Sequence, residues 1–248
     1  YGVAKTAQLV PIRVLSCSGS GSTSGVIAGI EWAITNHVAG TPAVANMSLG
    51  GGFSTTLNAA IARAVADGIT MVVAAGNDNA NACGVSPASE PLAITVGATG
   101  TTDLRASFSN FGSCVDVFAP GVSITSSYIR STTDVTSMSG TSMASPHVAG
   151  VVALYLQSNP SATPAAVTST LMAAATPNVV VDPGVASPNR LIYSGSFAPA
   201  PATTPSAPTI TAVAPLDGAL QVTFTAPSST GGNAILGYQY RLNSGSWI

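Results

Sequence analysis

Three apolar runs separated by two helix-length stretches constrain this chain more than any other feature. Gln8 to Leu15, Ala43 to Leu49 and Ile69 to Ala75 each read as a buried strand. After the first run and a Gly/Ser loop, Ser24 can cap a helix to about Asn36, with Val26, Ile27, Ile30, Trp32 and Ile34 as its apolar content. After the second, Thr55 or Thr56 opens a helix to about Asp67, closed by Gly68. Strand, helix, strand, helix, strand is the pattern of an α/β fold, a parallel sheet with crossover helices. Functional loops in such a fold gather at the carboxyl ends of the strands. Pro91 to Ala98, Cys114 to Phe118 and Val122 to Ser127 read as later strands, and about Thr163 to Ala175 as a surface helix.

The densest local signal is Gly140-Thr141-Ser142-Met143-Ala144-Ser145-Pro146-His147-Val148-Ala149-Gly150. It opens a helix that continues through Val151 to Leu156 with almost no polar face, so it is expected to be buried nearly all round. Pro146 is expected in the first turn, where a missing N–H costs nothing. Ser142 then sits where helix N–H groups favour developing negative charge, among small neighbours that let another backbone approach. On those grounds it reads equally as a nucleophile and as a helix-capping serine. Ala144 excludes the Gly-x-Ser-x-Gly elbow of esterases.

The whole stretch resembles the active-serine segment of the subtilisin-like serine peptidases, in the proteinase K and aqualysin branch. The resemblance runs from Tyr1 to about Ser194. It implies a subtilisin-like parallel sheet with helices on both faces, incomplete here, in a domain spanning 1–196. It makes Ser142 the nucleophile and His147 structural. Val72-Val73-Ala74-Ala75-Gly76-Asn77 ends a strand with an asparagine that by itself is an ordinary turn residue. By resemblance, Asn77 is the oxyanion donor. Gly19-Ser20-Gly21 and Ser48-Leu49-Gly50-Gly51 are side-chain-poor loops that could be plain turns or could pair with an extended peptide. By resemblance, Gly19, Ser20, Gly21, Ser48, Leu49 and Gly50 bind substrate, and Ser48 to Gly50 with Ala74, Ala75 and Gly76 bound an S1 pocket. No acid occurs among these residues, so apolar or aromatic P1 side chains are expected.

The family's catalytic aspartate and histidine have no match here. No Asp-Thr-Gly-like strand end or His-Gly-Thr-like helix start occurs, and His37 reads as an exposed helix-terminal residue. Both are expected upstream of Tyr1, which makes the chain by itself inactive. Asp116 could be a structural carboxylate bonded to local N–H groups. The resemblance makes it a calcium ligand with the carbonyls of Pro91 and Ala93, a set of oxygens that suits this ion; no catalytic cofactor is implied. Cys17, Cys83 and Cys114 make an odd count, open to one missing partner or to three buried thiols. The resemblance pairs Cys83 with Cys114 and places the partner of Cys17 upstream.

Only 6% of residues are charged and the formal net charge is −2, with no basic cluster, which argues against nucleic acid and anionic membranes as partners. No run approaches the roughly 18 apolar residues that span a bilayer. A surface solvated by Ser, Thr, Asn and Gly fits a secreted, extracellular protein acting on polypeptide substrates, expected as a monomer. A proline-rich linker is expected over 197–205. Beyond it, Thr209 to Val213, Leu220 to Thr225 and Ile235 to Leu242 alternate as strands. Residues 206–248 resemble the first half of a bacterial fibronectin type III domain, with Phe224 where that family has tryptophan. This implies a partial all-β immunoglobulin-like sandwich, too short for the full sandwich of about 100 residues, and contact with an extracellular polymer or protein. The rival reading of the whole is a non-catalytic peptidase-like protein-binding or adhesion module. Ser142 together with Asn77 favours the enzyme, because a binder needs neither.

Overall fold

The computed structural model describes residues 2–197, 204–230, 235–241 and 245. The linker prolines 199 and 201 and the end of the last expected strand, Leu242, lie outside the described residues. The chain divides into two compact units, Tyr1–Phe197 and Ala198–Ile248.

In chain order the first unit contains α1 (Thr23–Asn36), β1 (Ala43–Met47), β2 (Gly51–Gly52), α2 (Thr55–Ala66), β3 (Ile69–Ala74), β4 (Val85–Ser86) and β5 (Ile94–Thr99). There follow β6 (Val117–Pro120), β7 (Ile124–Ser127), β8 (Val135–Met138), α3 (Thr141–Ser158), α4 (Pro164–Ala174), β9 (Thr176–Pro177) and β10 (Arg190–Leu191). Six strands form one sheet in the order β1-β3-β5-β6-β10-β9, parallel except for β9. All six residues of β3 are buried, as a parallel strand covered on both faces requires. Their side chains alternate. Met71 and Val73 pack with α1 and α2 through Val26, Ile30, Leu57 and Ile61, while Val72 packs with α3 and α4 through Val148, Val152 and Leu171. Helices therefore cover both faces, and the two largest buried clusters are the two sides of one sheet.

α1 begins slightly earlier than the sequence suggests, because Ser22 and not Ser24 is its cap, while α2 starts at Thr55 as expected and takes Ser54 as cap. Ser22 Oγ accepts from Gly25 N–H ahead of α1, and Ser54 Oγ accepts from Leu57 N–H ahead of α2. Among the described residues no helix is long and apolar enough to cross a membrane.

Two expectations fail locally. Gln8 to Leu15 is extended but is no strand, because no neighbour hydrogen-bonds to it among the described residues. Leu9 is 87% exposed; Ile12 and Val14 lie against α1, where Gly29 leaves space that a β-carbon would close at 2.3 Å from Val14 Cγ1. β1 is thus the outermost strand. Pro146 lies in the second turn of α3, not the first, since the helix already starts at Thr141.

In the second unit β11 (Thr209–Leu216) and β12 (Ala219–Thr225) form an antiparallel hairpin closed by Asp217-Gly218, with Gly218 at φ +70°. Every residue of both strands is exposed. Phe224 meets Tyr238 edge to face at 4.8 Å between ring centres, yet 235–241 forms no strand. Among the described residues no third strand joins this hairpin.

Candidate active site

β1 and β3 run parallel, so Ser48-Leu49-Gly50 and Ala75-Gly76-Asn77 emerge at the same end of the sheet. The start of α3 comes to both. Gly140 is the N-cap residue and offers no side-chain cap, and Ser142 follows within the first turn. Ser142 Oγ is therefore not a helix cap: it donates to Ser48 O at 3.3 Å. Of the N–H groups that this turn leaves open, Thr141 N donates to Asn77 Oδ1 at 2.8 Å, and Met143 and Ala144 N donate to Gly140 O. The Ser142 N–H is left without an acceptor among the described residues.

Asn77 Oδ1 also accepts from Thr141 Oγ1 at 3.0 Å. With its oxygen doubly occupied, the amide can only present Nδ2 as a donor elsewhere. An ideal β-carbon on Gly140 would stand 3.5 Å from Ser142 N and 3.8 Å from Asn77 Nδ2, so glycine keeps the space beside both donors open.

Pro146 has a specific effect here. It has no N–H for the carbonyl four residues earlier, which belongs to Ser142. Ser48 Oγ donates to that carbonyl at 2.7 Å. Asn46 Nδ2 donates to Ser48 Oγ at 3.0 Å, and Asn46 Oδ1 accepts from the buried Ser145 Oγ at 2.7 Å. The loop after β1 and the first turns of α3 are thereby tied together on both sides of Ser142.

Ser142 stands between two cavities. One, of about 350 Å³, is lined by Leu49, Gly50, Ala74, Gly76 and Asn77 together with Gly51, Gly52 and the exposed Asp78. The other, of about 420 Å³, includes Val3, Ile124, Tyr128, Met138 and His147. Gly19, Ser20 and Gly21 line neither: they form a separate turn in which Ser16 N donates to Ser20 O. Because Gln8 to Leu15 has no strand partner, no sheet hydrogen bond carries this turn to Ser142.

Neither histidine is hydrogen-bonded to Ser142. His147 Nδ1 lies 2.8 Å from Met143 O of its own helix. His37 is not the exposed residue that its position suggests. Its side chain is 6% exposed, with Nδ1 at 2.7 Å from Asp67 Oδ2 and Nε2 at 2.9 Å from Thr41 O. Burial works against its charge, but the bonds to Thr41 and Asp67 prevail and raise its pKa.

Burial pushes the Asp116 carboxyl up to about 6, against the pull of the Thr95 N–H and of Arg190. Asp116 Oδ2 accepts from Thr95 N at 2.8 Å, and Pro91 and Ala93 lie on the turn just before the same strand. A desolvated carboxylate beside a carbonyl-rich turn suits a hard cation, and this oxygen-only set fits calcium. Among the described residues no three His, Cys, Asp or Glu side chains cluster as a metal site would, so backbone carbonyls would supply most of the ligands. Cys83 and Cys114 are bonded, with Cα atoms 5.3 Å apart, and the exposed Cys17 stays outside any disulfide, with Arg13 Nη2 at 3.3 Å from its sulfur.

Thr141, Asn46, Ser145 and the buried Asn110, whose Nδ2 donates to Ala75 O at 2.9 Å, all shape this site, yet the sequence singles out none of them. For Thr141 the cue is adjacency to Ser142; Asn46 and Ser48 share one side of an extended segment. Asn110 gives no local cue.

Residues 1–195 match the model of the subtilase family. An extracellular serine proteinase of Thermus sp. (strain Rt41A) is 60% identical over 194 residues, covering 78% of this chain and 47% of that protein. An alkaline serine exoprotease A of Vibrio alginolyticus is 55% identical over 194 residues, covering 78% of this chain and 35% of that protein. The chain spans less than half the length of these two relatives. The crystal structure of a cold adapted subtilisin-like serine proteinase superposes with a TM-score of 0.75 at 52% identity, covering 78% of this chain and 69% of that one.

Proposed function

Because the chain belongs to the subtilase family, we propose that it carries the nucleophile and oxyanion site of a secreted serine endopeptidase. Ser142 Oγ attacks the peptide carbonyl and forms an acyl-enzyme, while Ser142 N–H and Asn77 Nδ2 hold the developing oxyanion. One observation carries this reading: Asn77 has its oxygen fixed twice by Thr141, which leaves its amide as a donor beside the open N–H of the nucleophile. The cavity walled by Leu49, Gly50, Ala74 and Gly76 takes an apolar or aromatic P1 side chain. Ser48 to Gly50 pairs with the substrate backbone.

The catalytic base and its aspartate come from outside these 248 residues: His37 has both ring nitrogens engaged, His147 makes no hydrogen bond to Ser142, and the family resemblance makes His147 structural. Asp116, with the Pro91 and Ala93 carbonyls, holds a structural calcium ion. Residues 206–248 belong to a fibronectin type III module that contacts extracellular polymer or protein, following a 197–205 linker.

The test is hydrolysis of a chromogenic peptide with phenylalanine at P1. The full-length protein should cleave it, Ser142→Ala should abolish cleavage, and the 248-residue chain alone should show almost none, because an unassisted serine hydroxyl is a weak nucleophile. Cleavage by the 248-residue chain that Ser142→Ala removes would show that the base lies within it. Full-length protein that binds the peptide without turnover would favour a binding module.

A further inference from the structure

The segment that presents Asn77 is short and has no secondary structure of its own between β3 and Asn81. Its shape is set by one buried side chain from elsewhere in the chain. Asn110 is fully buried. Its Oδ1 accepts from Asp78 N and from Ala80 N, both at 3.0 Å, and its Nδ2 donates to Ala75 O at 2.9 Å. Its own N–H donates to Gly76 O at 3.0 Å. These bonds reach the chain on both sides of Asn77 and skip Asn77 itself.

We propose that Asn110 is the positioning residue of the oxyanion donor: it fixes the 75–80 turn so that the Asn77 amide meets the substrate carbonyl as charge develops. This rests on the reading of Asn77 given above. Gly76 shows how closely the two parts fit. It adopts φ +101°, and a β-carbon there would lie 2.3 Å from Asn110 Nδ2, so only glycine admits the carboxamide at this range. Asn110 is in turn referenced to the sheet. The buried Ser109 Oγ accepts from Ala98 N of β5 at 2.9 Å and donates to Asn110 O at 3.0 Å. The path runs from a central strand through Ser109 and Asn110 to the turn, and leaves Asn77 free to bond only Thr141 and substrate. A side chain that merely satisfied buried polar groups would not need to bracket one residue from both sides.

The test is a double-mutant cycle in the full-length protein. Asn110→Ala should lower kcat roughly 10- to 100-fold while KM changes far less, because the donor is displaced and acts mainly in the transition state. In an Asn77→Ala background the same substitution should lower kcat no further. Unchanged kcat, or an equal additional loss in the Asn77→Ala background, overturns the proposal. If Asn110→Ala does not fold, Asn110→Asp replaces it in the cycle, keeping the acceptors for Asp78 and Ala80 while setting a carboxylate oxygen against Ala75 O. If Asn77→Ala itself leaves turnover intact, the oxyanion reading fails, and the positioning claim is then decided by NMR. The Asn77 side-chain amide resonances should shift, and their hydrogens exchange faster, in the Asn110 variant of the 248-residue chain. Resonances that stay in place overturn it.

Discussion

Asn77 has its carboxamide oxygen taken twice by Thr141, which leaves the nitrogen for the oxyanion role proposed above. Replacing it with alanine should lower kcat by about 10²–10³-fold and leave KM nearly unchanged, a magnitude established for a relative in this family and not obtained from this chain. Thermal midpoints measured beside the kinetics separate this from misfolding, and a folded variant with intact kcat would rule out the role. Asp116 makes a different prediction. Its folded pKa of about 6 lies above the ordinary carboxylate value, so the folded state binds the proton more tightly than the unfolded one. Stability of the calcium-free chain should therefore fall as pH rises from about 4 to about 6, by roughly 3 kcal/mol for this group alone. The calcium ion proposed at Asp116 would bind the charged form, so its thermal increment should grow across the same window and be mostly lost in Asp116→Asn. An increment independent of pH, or one that survives the substitution, would remove Asp116 from the site. Ser142 and Asn77 were legible because each sits in a distinctive local run. Asn110 was not, because what makes it matter is a turn some 30 residues away that sequence alone does not bring to it.

The helices were legible from period and punctuation, yet their ends were set by contacts. Ser22 displaced the expected cap Ser24, and Pro146 moved from a harmless first turn to the second, where it leaves a carbonyl without its helical donor. Gln8 to Leu15 carries a strand's composition, but a strand exists only with a hydrogen-bonded neighbour, which composition cannot supply. His37 shows the same dependence. It joins the end of α1 to the end of α2, because Asp67 caps α2 and accepts its Nδ1–H. Both ring nitrogens face acceptors, so the bonded form is the imidazolium. Its raised pKa gives stability that is present in full at low pH and lost as pH rises through the folded value. Thermal midpoints of the parent and of His37→Gln should differ most near pH 5 and converge in mild alkali. A constant gap would show that packing, not charge, links the helices.

The core of the first unit includes a tight pair that the sequence does not announce. Phe118 of β6 is fully buried, and a β-carbon on Gly97 of β5 would lie 2.5 Å from its ring. Phe118→Ala should cost about 3–5 kcal/mol, read from denaturant unfolding, and Gly97→Ala should also destabilise although it adds only a methyl group. A loss under 1 kcal/mol for Phe118→Ala, set against that range, would mean the site collapses around the gap. The layered α/β plan was legible because apolar runs of strand length leave few other solutions. The second unit was less so, since its alternation yields, among the described residues, one hairpin with every strand residue exposed. The outermost position of β1 has a consequence for how the molecule behaves in bulk. Among the described residues β1 has a sheet partner on one side only, so its other edge is where a second extended chain could add, and a net charge of −2 offers little repulsion to keep a second molecule away. Concentration should therefore limit this chain in storage before temperature does, with light scattering rising in cold, crowded solutions whose individual molecules are still folded.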